Sequence, residues 1–397
     1  MIILTGRDII CISSAMWDGL WVNSQHVMSR LSKSNRVMYV ESTGLRPPAI
    51  NRTDLRKVLC RIAKIIKGPR QINDNLIVVP PIVLPFSKIS IINRLNSFSL
   101  RFQMMYLSKK YKFQDPILWI FLPTGHSLIG HLNEKLVVYH CVDDYSANPG
   151  VSRGVIKKMD AELLAKANIV LVTSPTLFKK AKRKNPNTYF LPNVADVEFF
   201  STAQEQLAIP DDIQALHHPI IGYIGNISSY KINLEILVYV SKQHHEWSIV
   251  LIGPVGYGDP LTDISNLNCM SNVYLLGQRP YEELPAYLKR FDVCIIPFHE
   301  NRSTLSSFPL KFHEYLAAGK KVVCTPLPAF EPYADVVYYA RTPEEYNTQI
   351  EQALANEITP GQWVRREEIK EANSWKRRIE EISEIIVRNL PKNQTRL

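Results

Sequence analysis

The chain has 397 residues, 46% hydrophobic and 21% charged, a balance that excludes long disorder and suits two ordinary domains. Its formal net charge of +10 is uneven: residues 1–200 hold 28 Lys+Arg against 13 Asp+Glu, or +15, and the rest hold 19 against 24, or −5. A basic half asks for an anionic partner, whether membrane lipid, nucleic acid or phosphorylated substrate.

No recognised nucleic-acid module accompanies that charge, so nucleic acid is set aside. The six cysteines form no CxxC pair, which argues against a zinc or redox site and for buried, reduced thiols in a cytoplasmic protein. No basic stretch followed by a long apolar run opens the chain, so no signal peptide is expected. The apolar run from Leu76 to Phe86 is interrupted by Pro80, Pro81 and Pro85 and is too short to span a bilayer.

In chain order, strands are predicted at Asp8–Ser13, Arg36–Val40, Asn75–Val79, Ile117–Phe121, Lys135–Cys141, Ile169–Thr173 and Thr188–Leu191. Residues 52–70 form a basic amphipathic pattern. Leu55, Val58, Leu59, Ile62 and Ile66 make an apolar stripe, with Arg56, Lys57, Arg61, Lys64 and Lys67 around it. Such a helix suits either an anionic membrane surface or its own sheet. The strand ending at Cys141 runs into Asp143 and Asp144. Two adjacent carboxylates at a strand's carboxyl end point to function, or to capping by Asp144. His140 shares a face with Asp144 if the strand persists that far.

Residues 201–218 read as a linker with one short helix. Further strands follow at Ile220–Ile224, Trp247–Ile252, Val273–Leu276, Val293–Pro297, Lys321–Cys324 and Val336–Ala340. Strands alternating with helical stretches predict α/β architecture with two parallel sheets. The domains are placed at 1–200 and 219–372, with a helical segment over 373–397.

The stretch most informative about chemistry is Pro309 to Gly319. Proline suits the first turn of a helix and glycine its C-terminal cap. The helix start therefore faces the carboxyl edge of a parallel sheet, where free amides and the positive dipole end favour an anion. Ser306 and Ser307 add hydroxyls and Lys311 a charge. Glu314, one turn on, can accept from a ribose diol if a diphosphate occupies the helix start; the plain alternative is a solvated glutamate.

Phe308-Pro309-Leu310-Lys311-Phe312-His313-Glu314-Tyr315-Leu316-Ala317-Ala318-Gly319 resembles the donor-site signature of GT-B glycosyltransferases of the retaining family-four type, among those that build bacterial cell-surface polysaccharides. The family's two glutamates lie eight residues apart: the second matches Glu314 and the first falls at Ser306. Gly225-Asn226-Ile227-Ser228-Ser229-Tyr230-Lys231 resembles its phosphate loop, with Lys231 at the usual lysine and Asn226 at the usual arginine. Leu275-Leu276-Gly277-Gln278-Arg279-Pro280-Tyr281-Glu282-Glu283-Leu284 resembles the loop flanking the nucleobase, and Leu251-Ile252-Gly253-Pro254 the turn before it.

The resemblance implies two Rossmann-like domains facing across a cleft, with the C-terminal helix crossing back to the first. It implies donor binding by Gly225, Asn226, Lys231, Gly253, Gly277, Tyr281, Ser306, Ser307, Pro309, Leu310, Lys311 and Glu314. Acceptor contacts are expected from Asp18, His26 and His126, and reacting groups from Asp143, Asp144 and His140. The implied activity is hexosyl transfer with retention from a nucleotide-sugar co-substrate to a glycan or lipid-linked acceptor. No metal or other cofactor is expected, and the place of action is the cytoplasm or the inner face of the cell membrane. A sugar-nucleotide epimerase of the same fold and a non-catalytic binder of sugar or lipid carrier remain the rivals.

Overall fold

The computed structural model describes residues 3–19, 21–46, 52–84, 89–259 and 261–391, with side chains from Val58 onward in the helix that opens at Arg52. These residues fall into two compact units, one within Met1–Pro192 and Arg378–Leu397, the other Asn193–Arg377.

The first unit carries β1 (Asp8–Ile12), β2 (Arg36–Val40), β3 (Arg70–Asn73), β4 (Leu76–Val79), β5 (Ile117–Ile120), β6 (Leu136–Cys141), β7 (Ile169–Val172) and β8 (Thr188–Phe190). They form one sheet in the order β3-β4-β2-β1-β5-β6-β7-β8. All neighbours are parallel except β3 on β4. Ile9–Ile12, Val37–Val40 and Ile117–Ile120 are wholly buried, as strands covered on both faces must be. The missed strand is β3: all four of its residues are exposed, so it has no apolar alternation to read.

The crossovers of the first unit are α1 (Asn23–Leu31), α2 (Arg52–Lys67), α3 (Ser90–Lys110), α4 (Arg153–Lys166) and α5 (Pro175–Lys182). Helix α2 does not pack its apolar stripe on the sheet. Its apolar Leu59, Ile62 and Ile66 are exposed. Two of its cations point inward: Arg61 donates to the Thr43 carbonyl (3.2 Å), and Lys64 pairs with Glu41 (3.3 Å). Glu41 is buried and needs a cation, which turns the helix that way. The expected contributions of Arg52–Lys57 lie outside the described side chains.

The second unit holds β9 (Ile220–Ile224), β10 (Ser248–Ile252), β11 (Val273–Gly277), β12 (Val293–Ile296), β13 (Lys321–Cys324) and β14 (Tyr338–Tyr339), paired in the order β11-β10-β9-β12-β13-β14. Its helices are α6 (Val197–Ser201), α7 (Asp211–Gln214), α8 (Leu234–Gln243), α9 (Ser265–Asn268), α10 (Leu284–Arg290), α11 (Lys311–Ala317), α12 (Pro343–Ala355) and α13 (Pro360–Ala372). Residues 201–218 are not a free linker. Phe200, Ala203 and Ile213 are buried in this unit's core, so the division falls before Asn193.

Helix α14 (Trp375–Asn389) returns the chain to the first unit from Arg378 onward. There Arg378 donates to the Pro192 carbonyl and Asn389 to the Tyr189 hydroxyl (3.3 Å). Cys11, Cys141, Cys294 and Cys324 are buried thiols, whereas Cys60 and Cys269 are exposed, contrary to the uniform burial expected.

Candidate functional site

Three neighbouring strands of the second unit end in glycine. Gly225 follows β9 with φ +143, Gly253 follows β10 with φ +139, and Gly277 closes β11 with φ +74. The Gly225 amide donates to the Ile252 carbonyl and the Gly253 amide to the Gly277 carbonyl, both at 2.8 Å. A Cβ on Gly253 would lie 2.0 Å from the Gly225 carbonyl oxygen, so only glycine lets these turns approach so closely.

Helix α11 places Lys311 against this floor. Its Nζ donates to the Tyr223 hydroxyl (2.7 Å), 4.2 Å from the Tyr223 ring centroid and 5.1 Å from that of Phe298. The Tyr223 hydroxyl in turn donates to the Asn226 carbonyl (3.1 Å). Gly319 (φ +75) closes the helix with the paired bonds of a glycine cap: Lys320 N to Tyr315 O, 2.9 Å, and Gly319 N to Leu316 O, 3.0 Å.

Burial lowers the Lys311 pKa to about 7; Glu314 opposes that shift and Lys231 adds to it. Burial likewise raises Glu314 to about 7, against the pull of Lys311. The three residues thus share one poorly solvated environment beside the glycine turns. Two lysines brought together there, one of them readily recharged by an arriving anion, suit a diphosphate. The Glu314 carboxylate has no hydrogen-bond partner among the described residues and is half-buried, so it retains accepting capacity.

Asn226, at the position of the usual arginine, is tied to a neighbouring turn. Its Nδ2 donates to the Tyr257 carbonyl (2.7 Å) and its Oδ1 accepts from the Tyr257 amide (3.1 Å), clamping the turn after β9 to the turn after β10. A second clamp was not foreseen. One oxygen of the buried Asp259 accepts from Ser228 Oγ (3.2 Å), Ser229 Oγ (3.0 Å), the Tyr230 amide (3.2 Å) and Thr262 Oγ1 (2.9 Å). Burial acts to raise this carboxyl's pKa, but the donors outweigh it and hold it below the usual range. The only cue in the sequence was an aspartate closing Gly256-Tyr257-Gly258-Asp259.

Because three of these donors, on Ser228, Ser229 and Tyr230, immediately precede Lys231, Asp259→Ala frees the turn that presents it. We expect nucleotide affinity to fall about tenfold by titration calorimetry, in line with the ~1–3 kcal/mol left by unsatisfied buried donors. An unchanged affinity would dismiss the clamp.

The remaining donor candidates divide. Pro309 and Leu310 form the entry to α11, accepting from the Phe312 (3.2 Å) and His313 (3.1 Å) amides. Ser306 and Ser307 are buried in and after the short turn Thr304–Ser306, and Ser307 Oγ donates to the Thr304 carbonyl (3.2 Å), so Ser307's hydroxyl serves the loop. The Tyr281 ring stacks on Phe199 (5.0 Å) and meets Phe200 edge-on (5.7 Å), a packing role.

In the first unit, Asp18 is exposed and held by Arg70 and by Lys64 (2.9 Å). His26 is buried on α1 with Nδ1 3.2 Å from Arg30 Nη1; burial, then the Arg30 charge, lowers its pKa to about 3. His126 Nδ1 lies 3.1 Å from the Pro123 carbonyl and Nε2 3.9 Å from Glu162. His140 stacks on Phe121 at 4.7 Å; burial, then the Arg378 charge, lowers its pKa to about 3 and keeps it neutral. Because β6 stops at Cys141, alternation does not carry His140 and Asp144 to one face. Asp144 caps the turn Tyr145–Ala147, accepting from Ser146 N (3.2 Å) and Oγ (2.7 Å). Asp143 is half-buried just beyond the strand end.

Residues 218–356 match the family described as "Glycosyl transferases group 1". The match lies wholly within the second unit. A Bacillus subtilis (strain 168) protein named for teichuronic acid biosynthesis, the glycosyltransferase TuaH, is 28% identical over 225 residues. That match covers 53% of this chain and 56% of TuaH, little more than half of either.

Solved structures match the whole architecture. Anabaena HepE in complex with UDP and glucose superposes with a TM-score of 0.66 at 14% identity, covering 96% of this chain and 99% of HepE. The α,α-trehalose-phosphate synthase (UDP-forming) of Burkholderia vietnamiensis gives 0.65 at 10% identity, covering 97% and 99%. At such identities the likeness is one of fold. The two parallel sheets are those of the GT-B fold, and the glycine turns, Lys231, Lys311 and Glu314 all lie within the matched residues 218–356.

Proposed function

We propose that the chain transfers a sugar, with retention, from a nucleotide-sugar donor to a glycan or lipid-linked acceptor in cell-surface polysaccharide synthesis. The observation that carries this is the meeting of Lys231, Lys311 and Glu314 beside three glycine turns in a glycosyl transferases group 1 domain. In this reading the two lysines and the backbone amides take the charge of the departing diphosphate without a metal. Glu314 accepts from the ribose diol. The first unit supplies the acceptor side, with Asp143, half-buried just beyond the end of β6, the candidate reacting carboxylate. UDP in the HepE complex and teichuronic acid in the TuaH name support a uridine nucleotide and a polysaccharide product.

A panel of nucleotide sugars tests it. One donor should raise the melting temperature, and nucleoside diphosphate release should appear with an acceptor extract. Glu314→Ala and Lys231→Ala should each remove both responses. Stabilisation with no release under any acceptor would favour the non-catalytic binder; conversion of the donor sugar without an acceptor would favour the epimerase.

A further inference from the structure

Helix α3 of the first unit is apolar on two opposite faces. Leu100, Met104 and Leu107 are buried against the sheet. On the other side Ile91, Leu95, Phe98, Phe102, Met105 and Tyr106 are each 50–68% exposed. Their spacing keeps all six within one narrow stripe, about 22 Å long at 1.5 Å per residue. Large rings and aliphatic chains left in water over that length mark an interaction surface, not a solvated helix face.

Two further observations decide what covers it. The extended segment beside α3 adds Ile82 and Leu84, both about half exposed. Its backbone is satisfied by side chains of α3: Gln103 and Ser99 reach the Ile82 amide and carbonyl (2.8–2.9 Å), and Asn96 the Leu84 amide (2.8 Å) and carbonyl (3.0 Å). Polar groups are therefore already paired where the face would leave water, as an apolar medium requires.

The second observation is charge. Helix α3 carries Arg94, Arg101, Lys109 and Lys110 and no acidic residue. Next to it opens a cavity of ≈ 520 Å³ between α3 and α4, to which Arg94, Arg101, Lys158 and Lys166 contribute, with Glu162 the single carboxylate of its lining. Among the described residues no helix is long and apolar enough to cross a membrane. A stripe of this kind flanked by cations suits the plane of an anionic bilayer.

We infer that the outward face of α3, with Ile82 and Leu84, docks on an anionic lipid surface, the headgroup phosphates entering the cationic groove between α3 and α4. This differs from the surface over residues 52–70 expected from the sequence, and it stands whether or not the transferase reading does.

Flotation of the full chain with vesicles tests it. Phosphatidylglycerol vesicles should carry the chain upward in low salt, and phosphatidylcholine vesicles at least tenfold less. Phe98→Ser with Phe102→Ser should reduce the bound fraction at least tenfold. Arg94→Ser with Lys158→Ser should reduce binding severalfold and flatten its salt dependence. Because all four side chains are exposed or line an open groove, unchanged melting curves will certify the fold. No flotation of the parent would overturn the inference, as would full binding by the Phe98/Phe102 variant. So would release by Ile62→Ser with Ile66→Ser alone, which would move docking to α2. A dimer of the parent in ultracentrifugation that the Phe98/Phe102 change dissolves, without lipid binding, would assign the face to a second copy instead.

Discussion

Lys311→Met should lower nucleoside diphosphate release by about 10²–10³-fold, the scale of losing one preorganised charge at a developing anion. The ammonium is fixed by the Tyr223 hydroxyl and the rings of Tyr223 and Phe298, so it is not replaced by a neighbour. Its own titration gives a second readout. Burial holds Lys311 near 7, so at pH 8 it is largely neutral, and an arriving diphosphate restores its charge. Binding of nucleoside diphosphate at pH 8 should therefore take up a proton, and the observed enthalpy should follow the ionisation enthalpy of the buffer. The variant should lose that dependence. Enthalpies equal across buffers for the parent would sink the assignment.

The stability sign follows from the same shift. A lysine whose folded pKa lies below its ordinary 10.5 denies the fold a proton that the unfolded chain binds. The penalty grows as pH falls from 10.5 to about 7 and is complete below that. Glu314, raised to about 7 by burial, is mostly protonated at pH 6 and asks little of a cation there. At pH 6 the Lys311→Met protein should thus melt no lower than the parent, which separates loss of activity from loss of fold.

Gly253→Ala should be the most damaging single methyl in the second unit's site. The new carbon would lie 2.0 Å from a backbone oxygen of Gly225, and φ +139 is closed to alanine. Backbone cannot swing aside as a side chain does, so two strand ends must part. A cost above ~3 kcal/mol follows, or roughly 6–12 °C in melting temperature for a unit of this size. Gly277→Ala is the comparison. Nothing lies within 4 Å of its Cβ, so only the strain of φ +74 remains, about 1–2 kcal/mol. Equal losses at both positions would show that close approach is not the cause. Gly225→Ala differs again: φ +143 brings the same backbone strain, but its Cβ meets the movable end of Lys311 at 2.7 Å and no backbone atom as close, so the loss of stability should be smaller than at Gly253 while the ammonium is displaced.

The strands of both sheets were legible in the sequence because their residues are buried on both faces, as in Val293–Ile296 and Ile169–Val172, where apolar runs need no partner to be seen. Edge strand β3 was not, since Arg70-Gln71-Ile72-Asn73 buries nothing. Lys311 and Glu314 could be placed together because one helix turn separates them. The Asn226–Tyr257 and Asp259–Ser228 pairings could not, since they join turns about thirty residues apart and depend on the β9–β10 register. The same limit hid α3. Its sequence shows only that apolar residues are plentiful; which of them the sheet covers is decided by the fold.

The ends of the second unit have a practical meaning. Ala195 bridges Ser374, and the Ala195 amide donates to the Asn373 carbonyl (3.3 Å), so the segment's entry and exit lie side by side. The unit is an insertion in the sequence whose two ends meet. Excising residues 193–377 breaks the chain at adjacent points and leaves that unit's buried core whole, so its stability can be measured in a fragment of its own.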